Sequence, residues 1–349
     1  MKALSNGWKA LLLSTSVFAA VPVGATPALV VDVATQAVLH AEDAGVPWYP
    51  ASTTKLMTVF VVFEALRSGQ VTMDTPVVIS RHAMSQASLE AGLSVGRAMT
   101  LEDALFAVIA GSTNDVAVAL AETVASNDAT FVERMNDAAK RLGLTATHFA
   151  NPNGLFDRTQ HSTARDLALL GIRIDQSFPE YRYFFQAAGV VVDGKEVASS
   201  NELLAHFPGT TGMKTGFICA SGRNMVALAQ RNGRRVMVVL LGATTERERS
   251  ERTAQFLTQA FDGTLGSHLG SLEALSNRPD VQPEDMRLRL CSDQTAAYEA
   301  GREAMYPMGL PGHQTFLGPE MPVSKHIIRT WAIENVADVP KPLQRPPLQ

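Results

Sequence analysis

Ser52 and Lys55 are spaced as a serine nucleophile and its base would be, within the stretch "PASTTKLMTVFVVFEAL" that begins at Pro50. Residues three positions apart share one face of a helix, so the Lys55 amine can reach the Ser52 hydroxyl. A serine hydroxyl needs a neighbouring group to take its proton, and a lysine removed from water can be neutral enough to do so. The alternative is a serine that only caps the helix and a lysine that extends to the surface.

Two further motifs supply groups of the same kind. The stretch Ser112–Asn114 ("STN") falls at a predicted break between two helices, where a loop can point a hydroxyl and an amide into a cleft or can simply cap the second helix. The stretch Lys214–Gly216 ("KTG") falls at the start of a predicted strand. A lysine and a hydroxyl there can hold a carboxylate, and a glycine lets a ligand approach the backbone. The alternative is a surface strand with a solvated lysine.

The order S-x-x-K, S-x-N and K-T-G is the motif set of penicillin-binding proteins and class A β-lactamases. From about residue 28 to residue 262, the chain resembles the low-molecular-mass penicillin-binding D-alanyl-D-alanine carboxypeptidases, a serine-type family that trims peptidoglycan stem peptides. The stretches that carry the resemblance are "PASTTKLMT" around Ser52, "NPNGL" (Asn151–Leu155), "STARDLALL" (Ser162–Leu170) and "TTGMKTGF" (Thr210–Phe217). It implies an α/β (α+β) fold of the β-lactamase and transpeptidase type, in which helices and a mostly helical insertion flank an antiparallel sheet.

The resemblance also implies how the acyl-transfer groups act. Ser52 would be the acylated nucleophile and Lys55 its general base. Ser112 would relay a proton to the leaving amine, and Asn114 would hold Lys55 and the substrate amide. The backbone N–H groups of Ser52 and Phe217 would form the oxyanion hole. β-Lactams imitate D-Ala-D-Ala and would acylate the same serine, and no cofactor is implied.

The third motif is implied to bind the substrate along the strand that carries Lys214, Thr215, Gly216 and Phe217. Lys214 and Thr215 would bind the terminal carboxylate of the stem peptide. The charge of Lys214 would also help to keep the nearby catalytic lysine deprotonated. The chain departs from the family pattern at Thr113, where many relatives carry glycine, and at Phe217, where some carry a polar residue. Neither departure removes a reacting group.

Three other functions compete with a carboxypeptidase. A D,D-endopeptidase uses the same residues but cleaves peptidoglycan cross-links, and the sequence hardly separates the two activities. A non-catalytic peptidoglycan-binding relative is a further alternative, although every reacting group is present. A class A β-lactamase is disfavoured because it needs a glutamate to activate the deacylating water. The corresponding stretch, residues 140–158, contains no glutamate and only Asp157 as a carboxylate.

The pattern of apolar residues and turn formers predicts strands at both ends of the domain and helices between them. A helix is expected from Ser52, as its N-cap, to Ala65, and another is expected to begin with Ser162 as its N-cap. "NPNGL" is interpreted as a structural turn. The remaining predicted helices are at about 100–110, 114–124, 130–142 and 246–261, and the predicted strands are at 28–33, 36–40, 189–192, 215–218, 224–230 and 236–242, with a hairpin turn at Asn232-Gly233.

The chain divides into three predicted regions. Residues 1–25 have a positive start, an apolar run and a small-residue cleavage site, which is typical of an export signal. Residues 26–263 would form the catalytic domain, and residues 264–349 an extension of unknown role with a flexible end. We therefore expect an exported, periplasmic protein with no strong membrane anchor after signal cleavage.

Composition excludes several other classes of protein. The formal charge is −4, with 46% hydrophobic and 18% charged residues, so there is no basic excess to bind nucleic acid. No two histidines lie within four residues of each other, which gives no support for a zinc motif. Cys219 and Cys291 either form one disulfide or remain two free thiols, and an exported protein would favour the disulfide.

Overall fold

The structure of the chain is a computed structural model that describes residues 26–86, 92–266 and 269–333. The predicted export signal and the end of the predicted extension lie outside the described residues. Within these three ranges, no helix combines the length and the apolar character needed to cross a membrane.

Eleven strands and ten α-helices are found in the described ranges. The strands are β1 (Ala28–Asp32), β2 (Val38–Glu42), β3 (Pro76–Val78), β4 (Arg97–Thr100), β5 (Gly189–Val192), β6 (Lys195–Ala198), β7 (Thr210–Ile218), β8 (Gly222–Arg231), β9 (Arg234–Ala243), β10 (His326–Ile328) and β11 (Trp331–Ala332). The helices are α1 (Lys55–Arg67), α2 (Arg81–Met84), α3 (Leu101–Ile109), α4 (Asn114–Ala125), α5 (Asp128–Arg141), α6 (Ala164–Ser177), α7 (Leu203–His206), α8 (Glu246–Asp262), α9 (Arg287–Leu290) and α10 (Thr295–Met305). Two 3-10 helices cover Ala51–Thr54 and Pro179–Gln186.

Five antiparallel strands form the central sheet in the order β2–β1–β9–β8–β7. Strand β1 pairs with β9, with Ala28 opposite Leu240, so the sheet joins distant parts of the chain as the sequence predicts. Asn232 and Gly233 connect β8 to β9 and both have positive φ, which is the backbone of the tight hairpin turn predicted there. The observed order confirms the antiparallel sheet with helices inserted between its strands.

The sheet is buried on both faces. Alternate residues of β1 point to opposite sides, as strand geometry requires: Leu29 and Val31 pack with the helical insertion, whereas Ala28 and Val30 pack with α8. This explains why β1 is a continuous apolar run rather than an alternating one. The layers are therefore helices, sheet and helix, with α1 enclosed by α3, α4, α5 and α6 in the larger core.

Two of the predicted helix starts are wrong in detail. Ser52 does not cap α1; it lies inside the 3-10 helix that precedes α1, and Pro50 is the N-cap of that 3-10 helix. The cap of α6 is Thr163 rather than Ser162, because the Thr163 side chain accepts a hydrogen bond from the Asp166 N–H. The helix predicted from about residue 100 does begin there: Thr100 is the N-cap of α3, and its hydroxyl accepts a hydrogen bond from the Asp103 N–H.

The extension returns to the rest of the chain by two strands. Strand β10 pairs in parallel with β5, with His326 opposite Val190. Strand β11 pairs antiparallel with β4. The His326 ring also stacks on Phe106 at a centroid distance of 3.8 Å and lies 2.7 Å from Asp103 Oδ1. The extension therefore contacts the helical insertion as well as the β5–β6 hairpin.

A disulfide joins Cys219, just after β7, to Cys291, at the end of α9. The structure thus contains the disulfide and not the two free thiols that the sequence also allowed. Next to it, the Met286 N–H donates to the Ala220 carbonyl. The bridge therefore fixes residues 286–291 of the extension beside the end of the strand that carries the K-T-G motif.

Removal of this disulfide is expected to destabilise the protein. The bridge joins residues 72 positions apart, and bonds of this kind commonly stabilise a fold by about 2–4 kcal/mol by restricting the unfolded chain. We expect Cys291→Ser to lower the free energy of unfolding by that amount in urea denaturation of the oxidised protein. A reductant should bring the wild type to the same midpoint and should leave the variant unchanged. Equal midpoints for the oxidised wild type and the variant would contradict the prediction.

Candidate active site

Ser52 lies in a tight turn that enters the buried helix α1. The preceding residue, Ala51, has a φ of +49°, a conformation that residues with a side chain rarely adopt. Such strained positions are concentrated at functional sites, where the surrounding structure holds them. Here the unusual φ of Ala51 lets the chain turn from Pro50 into the 3-10 helix. The Ser52 side chain remains partly exposed.

The Lys55 amine is enclosed by three oxygen atoms. Its Nζ lies 2.9 Å from Ser52 Oγ, 2.7 Å from Asn114 Oδ1 and 2.5 Å from the Asn153 carbonyl oxygen. Two of these oxygens can only accept hydrogen bonds, whereas the serine hydroxyl can also donate one. A neutral amine would use its two N–H groups on the two acceptors, so its lone pair must face the Ser52 hydroxyl. The arrangement suits proton transfer from serine to lysine.

The surroundings of Lys55 favour this neutral form. The side chain is fully buried, and the loss of water lowers its pKa well below the usual lysine value. The nearby positive charge of Lys214 lowers the pKa further, while Asp115 acts in the opposite direction. This effect of Lys214 agrees with the expectation that its charge helps to keep Lys55 deprotonated.

The "NPNGL" turn contributes directly to the site, which its interpretation as a purely structural turn missed. The Asn153 carbonyl accepts from Lys55, and the Pro152 carbonyl accepts from Thr58 one helical turn later. Gly154 has a φ of +86°, and a Cβ there would lie 2.1 Å from the Ala51 carbonyl oxygen. The "NPNGL" turn therefore packs against Lys55 and against the backbone of Ala51 and Ser52, and glycine is required at residue 154 because the two backbones touch.

Ser112 lies in the loop that separates α3 from α4, as predicted, and has a φ of +55°. This loop orients two side chains differently: Asn114 reaches Lys55, whereas Ser112 Oγ accepts a hydrogen bond of 2.8 Å from Lys214 Nζ. Thr113, between them, is buried, and its hydroxyl has no hydrogen-bond partner among the described residues. The S-x-N motif thus links the two lysines of the site.

Lys214 is a buried cation on β7. The sequence predicted that the K-T-G motif stands at the start of a strand. Strand β7 instead begins at Thr210, so Lys214 lies in its middle. Among the described residues, its Nζ donates to Ser112 and to the Thr215 carbonyl. The third N–H of the ammonium is therefore left for a ligand. Burial lowers the pKa of Lys214 to about 7, and the charge of Arg249 contributes to the decrease.

Gly216 and Thr215 complete the motif on the same strand. A Cβ at Gly216 would lie 2.8 Å from the Ser52 nitrogen. The glycine is therefore needed because β7 lies against the backbone of residues 50–53. The sequence had suggested a different reason, the approach of a ligand to the backbone. Thr215 Oγ1 lies 2.9 Å from Ser200 Oγ, and the Phe217 ring is exposed beneath the Arg223 guanidinium at 4.5 Å.

Arg249 is a site residue that the sequence analysis missed. It lies on α8, which packs on β8 and β9, and is 2% exposed. Its Nη2 donates to the Ser200 carbonyl, while its Nε has no hydrogen-bond partner among the described residues. Burial lowers the pKa of Arg249 to about 10, so it remains charged at neutral pH. With Lys214 it makes this part of the cleft positive, which suits an anionic ligand group.

A separate cluster of metal-type side chains lies on α2, α4 and α5. His82, Glu122 and Asp128 have potential ligand atoms within 4.8 Å of one another. His82 is hydrogen-bonded to Asp128, and this bond raises the pKa of His82. A raised pKa favours the imidazolium, which has no lone pair for a metal. The cluster therefore contains a His82–Asp128 ion pair, beside which Glu122 accepts a hydrogen bond from Ser80.

The sequence model of the D-alanyl-D-alanine carboxypeptidase family matches residues 15–245, more than half of the chain. Among curated relatives, D-alanyl-D-alanine carboxypeptidase DacF of Bacillus subtilis is 31% identical over 68% of this chain and 62% of its own length. DacC of Escherichia coli is 34% identical over 67% of this chain and 60% of its own length. The chain thus spans about three-fifths of the length of these relatives.

Solved structures give the same result. Penicillin-binding protein 5 of Haemophilus influenzae is 32% identical, with a TM-score of 0.65 over 68% of this chain and 71% of that protein. Penicillin-binding protein D2 of Listeria monocytogenes, solved in its cefotaxime-bound form, is 30% identical, with a TM-score of 0.62 over 68% of this chain and 97% of that protein. The predicted fold class is confirmed. Together with the family match, these likenesses establish that the chain belongs to the D-alanyl-D-alanine carboxypeptidase family.

Proposed function

We propose that this chain is a serine-type D-Ala-D-Ala carboxypeptidase, which removes the terminal D-alanine from peptidoglycan stem peptides through an acyl-enzyme on Ser52. The observation that carries the proposal is the set of contacts around Lys55, in which the Ser52 hydroxyl is the one partner able to give up a proton. Family membership supports the substrate class, because the two curated relatives are named as D-alanyl-D-alanine carboxypeptidases.

In the acylation step, neutral Lys55 takes the hydroxyl proton and Ser52 Oγ attacks the carbonyl carbon of the penultimate D-alanine. The resulting oxyanion accepts hydrogen bonds from the backbone N–H groups of Ser52 and Phe217. Ser112 relays a proton to the amide nitrogen, the C–N bond breaks, and free D-alanine leaves. Water then attacks the ester, and Ser52 regains its proton through Lys55.

The terminal carboxylate of the substrate is bound by Lys214 and Thr215. The unused N–H of Lys214 and the positive potential of Arg249 support this assignment, because an ammonium and a guanidinium attract a carboxylate strongly in a site removed from water. β-Lactams carry a carboxylate of the same kind and would acylate Ser52, in keeping with the cefotaxime-bound form of the Listeria relative.

The proposal includes export to the periplasm, where the peptidoglycan substrate would be encountered. The pattern of residues 1–25 supports export. The disulfide between Cys219 and Cys291 supports an oxidising compartment, since such bonds rarely persist in the cytosol.

The test is D-alanine release from a peptide ending in Lys-D-Ala-D-Ala, combined with penicillin trapping of the wild-type protein. We expect D-alanine to be released, and the mass increase of the trapped protein to map to the peptide that contains Ser52. The Ser52→Ala variant serves as the blank for both measurements. Absence of D-alanine release, or labelling at a different residue, would contradict the proposal.

Lys214 gives the proposed reaction a predictable dependence on pH. Its pKa of about 7 means that the ammonium form is present below this pH and is lost above it. We expect kcat/KM for a peptide ending in D-Ala-D-Ala to decrease as the pH rises through this range, because the carboxylate loses its cationic partner. On the acidic side, kcat/KM should decrease when Lys55 gains a proton and can no longer act as a base.

The matched control for this prediction is the same peptide with a C-terminal amide in place of the carboxylate. The amide has no charge for Lys214 to bind, so its slower cleavage should lack the decrease on the alkaline side. The measurement is kcat/KM for both peptides from about pH 5 to about pH 10. An alkaline decrease of equal size for the two peptides would assign it to a different group.

A further inference from the structure

An open cleft of about 280 Å³ begins at the position proposed for the substrate carboxylate. It is lined by Ser112 with the two residues before it, by residues 196–198 of β6, and by Ser200. Two of these residues contact the proposed carboxylate-binding pair directly: Ser112 accepts from Lys214, and Ser200 is hydrogen-bonded to Thr215. The cleft therefore adjoins the proposed position of the carboxylate, which belongs to the leaving amino acid.

The group next to this carboxylate is the α-carbon of the leaving amino acid, together with its side chain. In D-alanine that side chain is a single methyl group. A water molecule takes up about 30 Å³ of liquid, so the cleft has several times the volume that one small group requires. The space suits a leaving amino acid with a much longer side chain.

The chemistry of the cleft specifies how such a side chain would end. The residues around Ser112 are small, and Glu196, on β6, is the one charged residue among those that line the cleft. A carboxylate that lines a cleft selects a cation, and an ammonium group is the simplest complement.

We propose that this cleft is a subsite for the side chain of the leaving amino acid, and that it accepts a long side chain whose terminal ammonium group binds Glu196. The inference rests on the proposed carboxypeptidase function and extends its substrates from peptides ending in D-alanine to peptides ending in a lysine-like D-amino acid. The amide bond that breaks and the route of the proton are the same for both.

The extension already supplies a cation to this carboxylate. Lys325 Nζ lies 2.6 Å from Glu196 Oε1, and the two side chains are 38% and 53% exposed. The preceding residue, Ser324, accepts a backbone hydrogen bond from Ala188 at the base of β5, which fixes the position of Lys325. Exposed ion pairs contribute little to stability, so a substrate ammonium can replace or share this contact. Lys325 therefore competes with the substrate and weakens its selection.

The test uses three peptides that are identical except for the C-terminal residue, which is D-alanine, D-lysine or D-norleucine. Norleucine keeps the length of the lysine side chain but lacks the ammonium group. We expect the wild type to release D-lysine about threefold to fivefold more efficiently than D-norleucine, as measured by kcat/KM, which is in the upper part of the range for a solvent-exposed charge pair. Glu196→Gln should remove this preference, and Lys325→Ala should increase it.

Glu180→Gln is the matched control, because Glu180 forms an equally exposed 2.6 Å pair with Arg67 but does not line the cleft. This variant should keep the wild-type preference. The inference is overturned if Glu196→Gln retains the preference, if Lys325→Ala does not increase it, or if D-alanine is released while neither longer residue is. If no peptide releases its terminal residue, the proposed carboxypeptidase function itself fails, and the inference fails with it.

Discussion

Replacing Lys55 by methionine is expected to slow the acylation of Ser52 by about 10³-fold, which is within the range that general-base catalysis contributes. Methionine keeps a long unbranched side chain in the fully buried position but has no lone pair of sufficient basicity. The serine, the second lysine and the oxyanion groups all remain. The measurement is the rate of penicillin labelling, together with the rate of D-alanine release.

Two further variants make this prediction specific. Lys55→Arg should also be inactive, because a guanidinium keeps its charge and cannot take the serine proton. Lys140→Met should be as active as the wild type, since the Lys140 side chain is 80% exposed on α5. A circular dichroism spectrum of each variant shows whether it is folded. Near-normal labelling of a folded Lys55→Met protein would mean that a different group activates Ser52.

Glu248→Gln is expected to lower the free energy of unfolding by about 3–5 kcal/mol, the cost of leaving a buried charge without its partner. The Glu248 carboxylate is buried on α8 and accepts hydrogen bonds from two buried arginines, Arg252 and Arg302. It also accepts from the backbone and side chain of Thr244. The neutral amide cannot balance the charges of two guanidinium groups. Because Arg302 belongs to α10, we expect the packing of the extension to be destabilised most.

The measurement is urea denaturation, with Glu303→Gln as the control. Glu303 is an exposed glutamate of α10 that lies 3.9 Å from Arg247, and its replacement should change the free energy of unfolding by less than about 1 kcal/mol. Equal stability of Glu248→Gln and the wild type would mean that the arginines are balanced by other groups.

The pH dependence of stability gives a second measurement for Glu248. Burial raises its pKa, but the hydrogen bond and charge of Arg302 outweigh burial and hold the pKa below the ordinary 4.5. A group with a lowered pKa stabilises the fold above its unfolded pKa, and the stabilisation is lost as the pH decreases through the folded value. The wild type should therefore lose stability below about pH 4.5, and Glu248→Gln should lack this component.

The sequence predicted most of the side-chain chemistry of the site, because that chemistry lies in short motifs. Ser52 and Lys55 are close through local geometry alone, and three motifs in the right order indicated that Asn114 and Lys214 would join them. The Asn153 carbonyl was missed because a backbone oxygen has no signature in the sequence. A signal was nevertheless present: an Asn-Pro-Asn-Gly turn is rigid enough to hold a carbonyl in place.

The remaining errors have tertiary causes. The sequence of α8, "ERERSERTAQF", looks like a solvated charged surface, but Arg249 and Arg252 are buried because β8, β9 and the extension cover that helix. The first half of β7 was missed because Gly212 and two threonines are typical of a turn, and the strand is held there by its pairing with β8. The strands β10 and β11 have three and two residues, too short to give a periodic signal.

The position of β1 has a consequence for the order in which the chain can fold. Asp32, at the end of the first strand of the sheet, pairs with Arg234, which lies 202 residues further along the chain. Neither face of β1 has its full packing until β9 is in place beside it, and loop closure over such distances makes folding slow. A chain made from its N-terminus can pair β1 with β2 early, but the other edge of β1 has no partner until β9 is available. Completion of the sheet, which places the K-T-G strand β7 against the backbone of Ser52, is then a late event.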